Sequence, residues 1–398
     1  MTKQNKTIPA TILSLAALSA GAVHAQGVSI TDYKGASSAY EDSYIYGDLN
    51  VYNRRADEQT GYDLNLSLDY DRVLSSPDRD IRFQGGVDGS VNRAGTAGAS
   101  TQDSYTAGAG ITVDTYFNPA VNNAFWYGSL SLDASSAYDN RQVLGTVGAG
   151  YGRVTNVTPM AKALRLLQEL GERGQLTGPA DLATHQTVAE IVEREAEYRS
   201  KYGADDYIEK WVQDIADAIA ASGAAPQKLR AADVLKMADI LRNERISTRK
   251  TGWKVRAGLG YVFRSFDGDS GSDPALEAGA EYHRALSNRT QFSNDARLTT
   301  ILNDDDSSYK LRNVMSLTHE IDSRIDWENS WIFDYSKNGP TSTNATVNTV
   351  SSTFYYELAN ALDLSATLSV ADYSGDETLG NPNGVDTAFF MGVRYRLK

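Results

Sequence analysis

No cysteine occurs in the 398 residues of the chain. That absence removes disulfide scaffolds, thiolate zinc sites, iron–sulfur clusters and cysteine nucleophiles, and it leaves no thiol to acylate in a lipoprotein. Histidine is almost as scarce, with four in the whole chain. Outside the N-terminus no apolar run comes near the roughly 18 residues that a helical membrane span requires. Positive charge is in the minority, with 38 Lys+Arg against 51 Asp+Glu and a net charge of −13. A nucleic-acid binder normally carries a basic stripe, so the balance argues against that class. What stands in excess is tyrosine: 23 Tyr beside 10 Phe and 5 Trp is unusual for a soluble enzyme.

The N-terminus reads as an export signal. Lys3 and Lys6 form a positive start, Ile8 to Val23 is an Ala/Leu-rich apolar stretch, and Val23-His24-Ala25 ends in a small-x-small step. This is the pattern of a cleaved secretory signal. Residues 1–25 are therefore assigned to the signal, with a mature chain from about Gln26 outside the bacterial cytoplasm.

Downstream, the text alternates with period two. Tyr62, Leu64, Leu66, Leu68 and Tyr70 are apolar, while Asp63, Asn65, Ser67, Asp69 and Asp71 between them are polar. The alternation returns at Trp253, Val255, Ala257, Leu259, Tyr261 and Phe263, and again at Phe389, Met391, Val393, Tyr395 and Leu397. One apolar and one polar face per strand describes a sheet between two different solvents. A soluble antiparallel sandwich shows the same alternation. The segments here, however, run far beyond the roughly five or six residues of an average strand. Their apolar faces also begin and end in Tyr, Trp or Phe, as the aromatic girdles of a membrane barrel do.

The alternation predicts about 14 strands, within a range of 12–16 that boundary errors allow. Six lie near 40–54, 60–74, 78–93, 101–117, 121–137 and 140–154. Eight more lie near 250–266, 273–286, 288–303, 306–320, 323–337, 345–358, 361–374 and 384–397. An even number puts both barrel termini on the periplasmic side. Short links such as Leu286-Ser287-Asn288 and Ile321-Asp322-Ser323 fit periplasmic turns, and the longer polar links fit outer loops.

Between the sixth and seventh strands the period changes. Residues 155–249 carry helix signals, opening with Thr158 as the N-cap and Pro159 in the first turn, followed by Ala163, Leu164, Leu167 and Leu170. A second helix is predicted from Asp181 to Tyr198, with Val188, Ile191 and Val192 inward. A third carries Ile208, Trp211, Val212, Ile215 and Ile219, and a fourth Val234, Leu235, Ile240 and Leu241. One apolar stripe on each predicts a small all-α domain. It follows six strands, so it belongs on the periplasmic side, between a first half-barrel (26–154) and a second (250–398). Segment 155–250 holds 14 Lys+Arg and 15 Asp+Glu; the rest of the mature chain holds 22 and 36. The acidity belongs to the barrel and its loops.

The signal, the amphipathic strands and the aromatic-flanked segment Phe389–Lys398 resemble Gram-negative outer-membrane β-barrel proteins of the porin-like class, over everything except 155–249. The resemblance implies a mainly-β transmembrane antiparallel barrel with an inserted all-α domain, located in the outer membrane with its lipid as partner.

Candidate chemistry is sparse. His185 lies on a polar helix, and His283 and His319 close two strands near the periplasmic rim, with no His-Glu-x-x-His or Gly-x-Ser-x-Gly pattern. No catalytic residue and no cofactor is assigned, and the chain is not read as an enzyme. Asp267, Asp269 and Asp273, and Asp304 to Asp306, lack the spacing of a calcium loop and read as solvated loop tips, so no metal is assigned. Gly148, Gly150, Gly152, Gly258 and Gly260 lack the lysine and helix start of a phosphate loop. They read as room inside the barrel or as relief of sheet curvature.

The inward phase of each strand carries the charge. Lys254, Arg256, Arg264, Lys310, Arg312, Arg394 and Arg396 share it with Glu277, Glu281, Asp326 and Glu328, and with Asp63, Asp69, Asp88, Asp133, Asp295 and Asp334. Charges facing lipid are costly, so these are the candidate pore-lining residues; either they pair across the interior and plug it, or they line a wet pore. The leading expectation is a channel for small hydrophilic solutes with weak cation preference, whose helical domain gates it or docks a partner. The alternative is an anchor or export port whose helices bind a periplasmic protein or peptidoglycan. A protease cutting between Ser200 and Asp205 should be blocked in intact cells and admitted once the outer membrane is permeabilised; cutting on intact cells would place the helices on the surface.

Overall fold

In the computed structural model the described residues are 27–33, 35, 39–53, 58–119, 123–225, 229–244, 246–266, 273–302, 307–339, 341–359, 361–376 and 383–397. The export signal, Asp267, Asp269 and Asp304 to Asp306 lie outside them. Fourteen strands form one closed antiparallel barrel in which each pairs with its neighbour in sequence and the first with the last. They are β1 (Tyr40–Tyr52), β2 (Gly61–Ser75), β3 (Arg79–Arg93), β4 (Gln102–Tyr116), β5 (Ala124–Ser135), β6 (Gln142–Asn156), β7 (Lys250–Arg264) and β8 (Asp273–Ala285). The circuit is completed by β9 (Thr290–Ile301), β10 (Ser308–Glu320), β11 (Ile325–Asn338), β12 (Thr343–Ala359), β13 (Leu362–Gly375) and β14 (Gly384–Arg396). The predicted strand count holds.

The register turns the alternation into two faces. Leu49↔Leu64, Leu68↔Val87 and Trp327↔Phe354 point outward, while Tyr44↔Asp69, Lys254↔Glu281 and Asp363↔Arg394 share the inner phase. Leu66, Val147, Leu259, Leu368 and Phe389 are each more than half exposed, as side chains on an apolar outer wall are. Aromatic side chains gather at both ends of that wall. At the end where β6 leaves, Tyr151 lies against Trp253, Tyr282 against Phe292, and Trp327 stacks on Phe354 at 5.8 Å. Tyr105, Tyr261, Phe263 and Tyr309 mark the other end. An apolar band between two aromatic rows is the outer surface of a transmembrane barrel.

Four helices join β6 to β7: α1 (Thr158–Glu172), α2 (Leu182–Glu193), α3 (Glu195–Ala221) and α4 (Ala231–Arg242). Met160, Leu166, Leu170, Val188, Trp211, Ile215, Ile219, Met237 and Ile240 form their common core. The indole of Trp211 donates to the Ile191 carbonyl at 2.8 Å, which satisfies its N–H in the dry interior.

Several details differ from the sequence reading. The N-cap of α1 is Val157, and the Oδ1 of Asn156 accepts from Thr158, because the Thr158 hydroxyl accepts from the Arg249 amide instead. The second helix stops at Glu193, and the Gly203 backbone, at φ 82°, breaks the third from within. Leu235 is 71% exposed: the buried stripe of α4 runs through Asp233, Met237, Ile240 and Leu241, one helical face away from it. His185 is buried, with its Nδ1 2.8 Å from the Asp181 carbonyl.

The helices do not hang free. Ile30 and Tyr33, in and beside a short 3-10 helix ahead of β1, pack into their core, as does Ala285 at the end of β8. Arg249 is fully buried and its guanidinium meets Glu320 at the end of β10; Arg165 of α1 meets the second carboxylate oxygen, and the Ser247 amide donates to the first. Truncating Glu320 to Ala strands a buried cation, so it should cost about 3–5 kcal/mol. Helical-domain unfolding in urea reads that loss, and adding Arg249→Met should recover much of it.

Candidate functional site

The barrel interior gathers the charged side chains of the inner phase. Arg82 on β3 donates to Asp71 on β2 at 3.0 Å and lies 3.7 Å from both Glu281 on β8 and Asp295 on β9. Around the fourteen-strand circuit β8 and β9 stand five and six strands from β3, so this guanidinium bridges distant parts of the wall. Lys254 on β7 reaches past β6 and β5 to Asp114 on β4 at 2.6 Å and to Asp80 on β3 at 3.7 Å. Arg256 reaches Glu277 and Glu281, each at 3.8 Å, and Arg297 completes the Glu277 contact at 2.6 Å. Lys250 donates to the Tyr40 hydroxyl at 2.9 Å and stands 3.8 Å from Asp71.

Glycine makes room for this crossing. Phe125 and Tyr127 of β5 turn inward and are completely buried. A Cβ on Gly150 would stand 2.3 Å from the Phe125 ring and 2.5 Å from the Val255 carbonyl; one on Gly258 would stand 2.5 Å from the Tyr127 hydroxyl. The two rings lie against glycine positions of β6 and β7, and the cations of Lys254 and Arg256 sit 5.6 and 5.7 Å from their centroids. The expected reading of these glycines as room inside the barrel describes this packing.

A second centre forms around Arg394. It pairs with Asp363 at 2.7 Å, lies 4.0 Å from Asp326, and stacks 3.5 Å from the Tyr355 ring centroid, with Tyr44 at 5.1 Å. Arg396 donates to the Tyr44 hydroxyl at 3.3 Å. Toward the other end, Arg312 pairs with Asp334 at 2.6 Å and Arg264 donates to Asn140 at 2.7 Å. Lys310, Asp63, Asp69, Asp88, Asp133 and Glu328 hold inward positions with no ion pair among the described residues. Hydroxyls fill much of the wall between them, with Ser330 bonded to Ser351 and Thr353 to Thr367.

Arg82, Asp71, Asp80, Asp114, Lys250 and Asp363 belong to these networks and were not singled out from sequence. The alternation around Phe83 and Val87 carried the signal for Arg82; nothing in it shows which opposite strand an arginine reaches. The three histidines of the described chain stand apart. His283 is buried 3.8 Å from Glu281, His319 bonds Thr290 on the outer face of the rim, and His185 lies in the helical domain. In that domain Tyr33 donates to Glu193, and burial pushes both groups above their ordinary pKa values.

A family model described as "Protein of unknown function, DUF481" matches residues 243–358, from the end of the helical block to β12. No curated protein matches the chain. Among solved structures, the Acinetobacter baumannii outer membrane protein Omp33 is similar at 8% identity, covering 92% of this chain and 100% of its own, with a TM-score of 0.27. Pseudomonas putida OprB gives 8% identity, 90% and 93% coverage, and 0.33. Salmonella typhi OmpF in complex with daunomycin gives 8%, 91% and 98%, and 0.34.

The glycine floor makes its own prediction. Gly150→Val places a branched side chain against both Phe125 and the Val255 backbone, so overpacking should cost at least about 1–3 kcal/mol. The folded fraction migrating as a compact band on unheated gels should fall, and Gly128→Ala, where a Cβ meets nothing within 4 Å, should leave it unchanged.

Proposed function

We propose that the protein is a channel of the Gram-negative outer membrane for small hydrophilic solutes, narrowed at the end that carries the helical domain. The observation behind this reading is the contrast between the two faces of a closed wall: apolar and aromatic-edged outside, charged and hydroxyl-lined inside. About fourteen strands enclose more interior than side chains alone fill, which favours water in the remaining lumen. Arg82 and Lys254 narrow that lumen by binding acids on strands that are not their neighbours.

Asp63, Asp69, Asp88 and Asp133, without ion pairs among the described residues, give the wider half a negative field. Small cations are therefore favoured over anions at low ionic strength, and the preference fades as salt shortens the Debye length. Nothing in the arrangement of His185, His283 and His319 provides a nucleophile with its base, and the reading is not enzymatic. The helical domain, fixed to the rim by Glu320, is suited to gating the narrow end.

A second reading makes the barrel an anchor or export port whose segment 155–249 binds a periplasmic protein or peptidoglycan. The ion pairs that cross the bore favour it, since a free diffusion pore has no need of them.

Planar-bilayer conductance separates the two. The channel reading expects measurable single-channel current, cation-selective reversal potentials that weaken with salt, and higher conductance on Arg82→Ala, which detaches the two walls. That variant also leaves Asp295 without its cation and Asp71 and Glu281 with one fewer each, so its cation preference should rise. Silent membranes from verifiably inserted parent and variant alike would remove the channel reading, and strong anion selectivity would overturn the assignment of the field.

A further inference from the structure

The barrel wall is not uniform at its closing seam. Every other pair of strands is laddered along most of its length; β1 and β2 run in register from Tyr40↔Val73 to Tyr52↔Gly61. β1 and β14 pair only from Tyr44↔Arg396 to Gly47↔Val393, at the end nearer the helical domain. Continuing that register would set Asp48 opposite Gly392, Leu49 opposite Met391, Asn50 opposite Phe390 and Val51 opposite Phe389, but pairing stops first. A glycine stands on each strand where they part: a Cβ on Gly392 would lie 2.7 Å from the Gly47 carbonyl.

The level of the parting matters. Leu49 aligns with Leu64 on β2, and Phe389 with Leu368 on β13, all on the apolar outer band. Leu49, Val51, Phe389 and Met391 are each 58–64% exposed. Hydrocarbon offers no partner to a strand edge, so backbone groups there need a polar companion from the lumen side. On that side lie Asp48, held by Asn65 at 3.0 Å, then Asn50, and beyond them Asp69 and Asp88 without ion pairs among the described residues. The opening therefore joins an apolar exterior to an acidic interior.

We propose that the outer half of the β1–β14 seam is a lateral port that admits single-chain amphiphiles with a cationic head from the bilayer into the lumen. The tail stays against Leu49, Val51, Phe389 and Met391, and the head moves toward Asp48 and Asp69. An anionic head meets the same carboxylates and is turned away. This function is separate from passage of hydrophilic solutes along the bore, and it does not depend on the bore conducting.

The absence of native cysteine makes the test direct. The doubly substituted chain Asn50→Cys, Phe390→Cys places two thiols at facing inward positions and is reconstituted in phosphatidylcholine vesicles. A photoreactive alkyltrimethylammonium and an alkyl sulfate of equal chain length serve as probes, with labelled residues mapped by mass spectrometry. The cationic probe should label inward residues around Asn50 and Phe390 in the reduced chain. Oxidation to the disulfide should lower that labelling about tenfold, and dithiothreitol should restore it. The sulfate should label several-fold less throughout. Equal labelling of locked and open chains, equal labelling by both probes, or labels confined to lipid-facing Leu49, Phe389 and Met391 would each overturn the port. Should the thiols fail to join, Asp48→Asn with Asp69→Asn decides: loss of the cationic preference supports the port, and an unchanged preference overturns it.

Discussion

A peptide group in hydrocarbon has no water to fall back on, and this constraint organises the whole barrel. A strand crossing a bilayer must give its N–H and C=O groups to neighbours on both sides, so the sheet has to close on itself. Thirteen antiparallel pairs between strands adjacent in sequence, and a fourteenth between the first strand and the last, close it. It also fixes the side-chain pattern. Once Leu64, Leu66 and Leu68 face lipid, the residues between them can only face the interior, and a slip of one residue would exchange the two sets. The outer wall thereby determines the chemistry of the inner one. Where the closing seam runs short of pairing, beyond Gly47↔Val393, the same constraint demands a polar companion, and only the lumen can supply it.

The interior had two ways to hold its charges, and it uses both. In the half toward the helices, Arg82, Lys250, Lys254 and Arg394 each have an acid within reach on a different strand, as Arg82 has Asp71, Glu281 and Asp295. Such pairs need not add net stability, because desolvation offsets much of the attraction. Their effect is geometric: a guanidinium that binds both walls sets the distance between them. The glycines at 148, 150 and 258 serve the same end, letting the sheet approach the Phe125 and Tyr127 rings closely enough for Lys254 to span to Asp114. In the other half, Asp63, Asp88 and Asp133 have no ion pair among the described residues, and a charge without a partner is tolerable only where water reaches it. A single wall thus holds a section tied by ion pairs and one with few of them.

Much of this was legible in the sequence, and the reason is the period. Alternation over Tyr62–Tyr70 or Trp253–Phe263 names both the strand and the face of each residue, which is why Lys254, Glu281, Arg394 and Asp326 take the inward positions expected of them. The helical block was equally visible, because its period changes at Asn156 and returns at Lys250. What period cannot carry is contact between non-neighbouring strands. Arg82 meets Asp295 across the lumen, and Arg249 meets Glu320, 71 residues away, with no repeat to announce either. The turn at Arg194 escaped because Glu193 and Glu195 are both good helix formers. Leu235 was misplaced for a related reason: in a helix of three turns, one apolar residue beside Val234 looks like stripe until Met237 and Ile240 fix the face.

The place of the helical block follows from how its ends are held. Asn156 and Lys250 are register partners on β6 and β7, and one step beyond them the Val157 amide donates to the Arg249 carbonyl at 2.7 Å. The ladder simply continues past the last strand residues, so the barrel closes as it would over a tight turn, whatever lies between. Loop-closure cost grows only slowly with length, and a segment that folds on its own core adds little to it. The same bond delivers Arg249 to the rim with a fixed direction. Buried there beneath the helices, it needs a countercharge, and Glu320 at the end of β10 is the carboxylate it meets. Arg165 of α1 then binds the remaining oxygen, so that a contact required by one stranded cation also orients the whole domain over the mouth of the barrel. Thr248, bonded to Asp42 of β1 at 2.8 Å, extends that hold across to the seam strand. The helical block is therefore held to β10 through Glu320 and to β1 through Asp42, at the end of the barrel where Arg82 and Lys254 bind acids on other strands.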